Sequence, residues 1–225
     1  MPKLTDYTRF AEAQAQANSA ALWELFNGDR EQLNIAHECI TRYADGTGRA
    51  AVRIAHADGR DEVLDFDQIA AGAARFAHWL ERNGIEPGDR IAFMLEPSLP
   101  FYVSLFGAMM RGAISVPLFT LFGLDGLRLR VDDCEPALLV TNREKAGIAH
   151  QVEGLKVVVA DDGLMDELAS LPATYDSVTK ANDLAVFQYT SGTTRELPAT
   201  TGRKIRHRPG AMVSGTAHWR HWPSA

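Results

Sequence analysis

Cysteine is nearly missing from this chain of 225 residues: only Cys39 and Cys134 occur. A single pair cannot make a disulfide framework, and both fall in stretches of helical spacing, so each is read as a small buried apolar side chain in a reducing compartment. Long apolar runs are missing too, none approaching the roughly 20 residues that cross a bilayer. Met1 to Arg9 also lacks the basic-then-apolar order of a signal peptide. No membrane span and a cytoplasmic location are therefore expected. Acidic side chains are absent from 199–225, which holds five of the 23 Lys and Arg residues (Arg203, Lys204, Arg206, Arg208 and Arg220). The first 198 residues are left with 18 basic against 29 acidic side chains, a net charge of −11. An acidic body of this kind argues against nucleic acid as a partner. Internal repeats and low-complexity segments are lacking as well.

What is present is the balance of a globular protein, 46% hydrophobic and 23% charged, with enough apolar material for a sizeable core. Apolar residues at helical spacing predict helices over Phe10–Phe26 and Leu33–Tyr43. Ala50–Ala55 and Glu62–Phe66 read as the strands of a hairpin turning at Asp58-Gly59. Phe66–Asn83 is the clearest helix, with Ile69, Ala73, Phe76, Ala77 and Leu80 on one face and Asn83-Gly84 as its stop. Strands and helices then alternate. Strands are expected at Arg90–Leu95, Ala113–Pro117, Ala137–Thr141 and Leu155–Ala160, with helices at Leu99–Arg111, Gly123–Cys134 and Glu144–Val152. That alternation is the mark of an α/β fold, a mostly parallel sheet with crossover helices, doubly wound. Pro172–Asn182 reads as a surface connection, and Asp183–Tyr189 as one more strand.

This last strand runs into Thr190-Ser191-Gly192-Thr193-Thr194, four hydroxyls and one glycine. Such a loop offers side-chain donors and lets backbone amides turn toward an anion, which is chemistry suited to polyphosphate. Open α/β sheets bind ligands at the carboxyl ends of their strands, where this loop is expected. No Gly-Lys-Ser/Thr closes it, so it is not a Walker P-loop. An ordinary Ser/Thr turn is the competing reading. Gly46-Thr47-Gly48-Arg49-Ala50-Ala51 fits Gly-x-Gly-x-x-Ala but precedes a strand and opens no helix, so it is read as a loop rather than a dinucleotide fingerprint. His37-Glu38-Cys39 and His218–His221 lack the partner pair of a zinc site. Asp132-Asp133 and Asp161-Asp162 are expected at element ends, facing water.

Tyr189 to Pro198 resembles the phosphate-binding signature of the adenylate-forming superfamily, Tyr-Thr-Ser-Gly-Thr-Thr-Gly-x-Pro-Lys. Arg195 stands where that signature has its last glycine, and Ala199 where it has lysine; one extra residue precedes Pro198. Leu64-Asp65-Phe66-Asp67-Gln68-Ile69 is similar to the family's early helix start, and Gly88-Asp89-Arg90-Ile91-Ala92 to its Gly-Asp-Arg-Val strand entry. Gly107 to Leu118 is similar to its Gly-x-x-x-x-Gly-Ala-x-x-x-Pro-Leu segment. Asn34–Cys39 and Leu118–Asp132 look most like acyl-CoA synthetases acting on short or medium acids. Four motifs in order identify the chain as a member, over about residues 20–198.

The resemblance implies a two-step ligase. A carboxylic acid attacks the α-phosphate of ATP to give acyl-adenylate and pyrophosphate, and coenzyme A then takes the acyl group. It assigns Thr190, Ser191, Gly192, Thr193 and Thr194 to the β- and γ-phosphates, with Mg2+, and it assigns no catalytic residue. In the family the acyl pocket, the adenine and ribose contacts and the small domain bearing the catalytic lysine all follow this loop. Residues 1–198 are thus expected to be the N-terminal portion of the adenylation domain, truncated and catalytically incomplete. Residues 199–225 are expected to be a basic tail, disordered or frame-shifted. The alternative is a non-catalytic nucleotide- or partner-binding protein that keeps the first half of the fold.

Overall fold

The computed structural model describes residues 2–189 and the backbone of 211–212. The expected boundary at 198 and most of the tail lie outside the described residues. A two-stranded antiparallel hairpin comes first, β1 (Ala50–Ala55) with β2 (Asp61–Asp65). The main sheet is parallel, in the order β4-β3-β5-β6, from β3 (Arg90–Met94), β4 (Ile114–Pro117), β5 (Leu138–Thr141) and β6 (Val157–Val159). A parallel bridge between Ser115 and Val186 sets the segment leading to β7 (Gln188–Tyr189) outside β4. β7 in turn pairs antiparallel with β8 (Ala211–Met212). The chain goes from β3 to its neighbour on one side, then crosses over to β5 on the other, so the sheet is doubly wound and the α/β reading holds.

Local chemistry explains the helices on both faces. α4 (Phe66–Arg82) starts at a capping box: the Asp65 carboxylate accepts from Gln68 N at 2.7 Å, and Gln68 reaches back to Asp65 N. α5 (Leu99–Arg111) starts at the Ser98 cap and ends at Gly112, whose φ of +80° suits a residue without a Cβ. These two helices, with α8 (Asp162–Ala169), cover one sheet face; Phe76, Leu80, Val103 and Leu168 pack there on Ile91, Phe93, Leu138 and Val140. α6 (Leu124–Cys134) and α7 (Arg143–Ala149) cover the other, with Leu127, Cys134 and Ala149 on Ala92, Met94, Val116 and Leu139. Strands buried on both faces need the continuous apolar runs that β3 and β5 have.

The N-terminal region departs from expectation. Phe10–Phe26 is not one helix but α1 (Phe10–Gln16) and α2 (Ser19–Trp23), separated where Asn18 caps the second by accepting from Ala21 N. Phe10 is 81% exposed, so no core holds the longer helix together. Leu33–Tyr43 shortens to α3 (Ile35–Cys39) and a 3-10 turn at Thr41–Tyr43. Cys39, expected to be buried, lies on the surface; Cys134 is buried as expected. The connection at 172–182 is more than a surface link. Thr179 pairs with Leu33 through Leu33 N to Thr179 O (3.0 Å) and Thr179 Oγ1 to Leu33 O (2.7 Å), and Ala181 N donates to Arg30 O, strapping the N-terminal segment to the body. α8 has no counterpart among the elements expected from the sequence: Asp161 accepts from Leu164 N and thereby caps a helix.

Candidate active site

The loops that follow β3, β4 and β5 gather at the carboxyl ends of these strands. There the Thr141 hydroxyl donates to Met94 O at 2.9 Å, locking the end of β5 to that of β3, and Thr120 hydrogen-bonds the Glu96 carboxylate across the two following loops. Asn142 caps α7 by accepting from Lys145 N. Beside it, Asp161 pairs with Arg143 at 3.0 Å; that hydrogen bond, aided by the Leu164 amide, holds the Asp161 carboxyl below its usual range. At the opposite end of the strands, Arg90 fixes how the sheet meets α6. Its guanidinium donates to Cys134 O and Glu135 O, each at 2.8 Å, satisfying the last carbonyls of that helix. The Gly88-Asp89-Arg90 motif is thus a sheet-to-helix buttress.

Residues 184–189 run parallel to β4, joined by Ser115 N to Ala185 O and Phe187 N to Ser115 O, both 2.9 Å. Tyr189, the last described residue before the hydroxyl loop, is therefore carried to the carboxyl end of the sheet. Its hydroxyl donates to Asp133 Oδ2 at 2.9 Å and approaches Arg130 O at 3.3 Å. Burial first, and then the nearby Cys134 and Asp133, raise the phenol far above its ordinary range, so it stays a donor. Asp133, expected to face water, is engaged here. Burial pushes the neighbouring Cys134 thiol up to about 11.

Thr190, Ser191, Gly192, Thr193 and Thr194 lie outside the described residues, as do Arg195, Ala199 and His218–His221. Other singled-out groups serve the fold. The amides of Gly46 and Gly48, both with positive φ, donate to the Asp67 carboxylate at 2.8 and 3.0 Å, so this loop caps α4 from outside. Buried Glu38 accepts from the amides of Asn27 and Gly28 at 2.9 Å and pairs with Arg42. Sequence reasoning passed over Arg130, whose guanidinium is buried among aromatic rings; its only sequence signal is a lone Arg on the apolar side of α6, near Leu127 and Cys134. Among the described residues no helix is long and apolar enough to cross a membrane.

A family model described as AMP-binding enzyme matches residues 41–195. Over 167 residues the chain is 35% identical to the long-chain-fatty-acid–AMP ligase FadD32 of Mycobacterium marinum, covering 64% of this chain and 25% of that protein. It is 32% identical over 115 residues to the acetyl-coenzyme A synthetase of Bacillus subtilis, covering 50% of this chain and 20% of the relative. Among solved structures, the acyl-CoA synthetase of Brucella canis superposes with a TM-score of 0.74 at 28% identity, over 84% of this chain and 37% of that one. The chain thus spans about a fifth to a quarter of the length of these curated relatives. With the family match, the doubly wound sheet and four motifs in order all in agreement, this chain belongs to the AMP-binding, adenylate-forming enzymes.

Proposed function

We propose that this chain supplies the phosphate-gripping front part of an AMP-forming acyl-CoA synthetase-like ligase. In that reaction a carboxylate attacks the α-phosphate of ATP, the acyl-adenylate forms and pyrophosphate leaves; coenzyme A then takes the acyl group. The observation that carries the reading is the strand ending at Tyr189, parallel to β4, which delivers the chain to the carboxyl end of the sheet where open α/β folds bind ligands. From there Thr190, Ser191, Gly192, Thr193 and Thr194 are assigned to the β- and γ-phosphates. Hydroxyl and amide donors on the leaving pyrophosphate stabilise the charge that builds up in the first step. Hydroxyl oxygens are also hard donors of the kind Mg2+ shares with phosphates, and when bound that ion would neutralise phosphate charge. The acid is a simple carboxylate, in keeping with the fatty-acid and acetyl groups in the relatives' names. Residues 1–198 are assigned to the N-terminal portion of the adenylation domain and 199–225 to a basic tail.

ATP binding measured by calorimetry, alongside pyrophosphate exchange against a panel of acids, tests this reading. Acid-dependent exchange supports the ligase reading, and ATP binding without exchange supports the alternative, a non-catalytic nucleotide-binding protein of the same fold. Thr193→Val with Thr194→Val deletes two hydroxyl donors to a charged acceptor, so ATP affinity should fall on the order of tenfold or more. Arg195 is assigned part of the charge that the family places on lysine; Arg195→Gly should weaken binding, and tighter binding would show that the arginine obstructs the loop.

A further inference from the structure

Arg130 is an unusual cation. It is 4% exposed, its Nε has no hydrogen-bond partner among the described residues, and its Nη1 donates to Gly126 O at 3.2 Å within its own helix. The charge is met instead by ring faces: the guanidinium carbon lies 4.3 Å from the centre of Phe122 and 5.7 Å from that of Tyr189. A buried charge is costly unless its surroundings compensate it, so such a residue needs a reason to be there. Phe122 stands just before α6 and Tyr189 ends the strand beside β4, so the cation joins two elements that are distant in sequence. Asp133, one helical turn on, takes the Tyr189 hydroxyl, and Phe187 packs edge-on against the Tyr189 ring at 5.3 Å. Three groups of α6 therefore hold one side chain: the Arg130 guanidinium, the Arg130 carbonyl and the Asp133 carboxylate.

We propose that Arg130, clamped between Phe122 and Tyr189, and Asp133, which takes the Tyr189 hydroxyl, are positioning residues that fix the base of the phosphate loop. This rests on the assignment of Thr190–Thr194 to phosphate. Consecutive Cα atoms are about 3.8 Å apart, so holding a residue in place limits the positions open to the one bonded after it. Donors held in place before the anion arrives lose less freedom on binding, and affinity rises accordingly. The anchor acts through Tyr189 and touches no substrate.

The test uses the full chain, ATP and inorganic tripolyphosphate as probes, and hydrogen exchange at residues 184–189. Arg130→Met keeps the length and loses the charge; Tyr189→Phe keeps the ring and loses the hydroxyl; Arg130→Lys restores a cation without the planar guanidinium. Affinity for both probes should fall on the order of tenfold in Arg130→Met and severalfold in Tyr189→Phe. Arg130→Lys should recover part of the loss, and amide protection at 187–189 should fall in parallel. A residue that merely stabilised the fold would lower the melting temperature and leave both affinities at wild-type values, and that result overturns the proposal. Unchanged protection at 187–189 in Arg130→Met and Tyr189→Phe overturns it as well. If Arg130→Met does not fold, Tyr189→Phe carries the test. If the wild type binds neither probe while protection still depends on Arg130, the phosphate assignment fails and the anchoring of Tyr189 stands.

Discussion

Gly107 lies where α5 crosses α4, and replacing it with alanine separates two opposing effects. A Cβ built there would sit 2.7 Å from Ala73 O and 2.9 Å from both Cβ and Cδ1 of Phe76. Alanine in place of glycine in a helix is worth about 1 kcal/mol by propensity. Against that, the obstruction is a backbone carbonyl and the root of a fully buried ring, neither of which can swing aside. Overpacking of this kind costs about 1–3 kcal/mol, and an immovable neighbour places it toward the upper end. The net expectation for Gly107→Ala is a loss of about 1–2 kcal/mol, or about 3–6 °C in Tm for a chain of this size. The displaced helix also carries Leu105 O, which accepts from the Ser115 hydroxyl, and Met109 O, which accepts from Asn34, so strain should spread to β4 and to the N-terminal strap. Gly147 in α7 is the control. Nothing would lie within 4 Å of its Cβ, so Gly147→Ala should raise stability by up to about 1 kcal/mol. Urea unfolding monitored by circular dichroism reads both variants. An unchanged or raised midpoint in Gly107→Ala would refute the argument from close approach.

The two thiols should behave differently: at pH 8 the native protein should release one equivalent with a thiol reagent, from surface Cys39, and the second only after denaturation, since Cys134 is buried with its thiol pushed up to about 11. Because the folded thiol keeps its proton where the unfolded one, at about 8.5, gives it up, this stability is present below about pH 8.5 and is lost as pH rises through about 11. Cys134→Ala should shallow the fall by at most about 1.4 kcal/mol per pH unit, as read from urea midpoints between pH 8 and 11. Glu38→Gln leaves Arg42 without its counter-charge in a largely buried setting and should cost about 2–3 kcal/mol, seen as a lower Tm and earlier proteolysis of the N-terminal region; an unchanged Tm would show that the pair is solvated.

Much of the sheet was legible because its information is local. β3, β4 and β5 are short apolar runs between helices, Asp65 and Gln68 announce the start of α4, and Gly112 marks the end of α5. The proposed phosphate loop rests on the same kind of local signal, since four hydroxyls and a glycine in a row suffice to suggest an anion. Sequence periodicity failed at α1 and α2, where alanines with no core to face do not sustain a long helix, and at α8, whose cap at Asp161 is a single residue of an acid pair that gives no periodic signal. What only the tertiary structure decided was long-range pairing. The parallel bridge from Ser115 to Val186, the strap of Thr179 on Leu33, and the placing of Arg130 between Phe122 and Tyr189 join residues more than 50 positions apart, apart from the Phe122 contact. Nothing in either local segment specifies its partner. A helix cap is chosen within four residues of itself, whereas a buried guanidinium is chosen by which ring the fold brings to it.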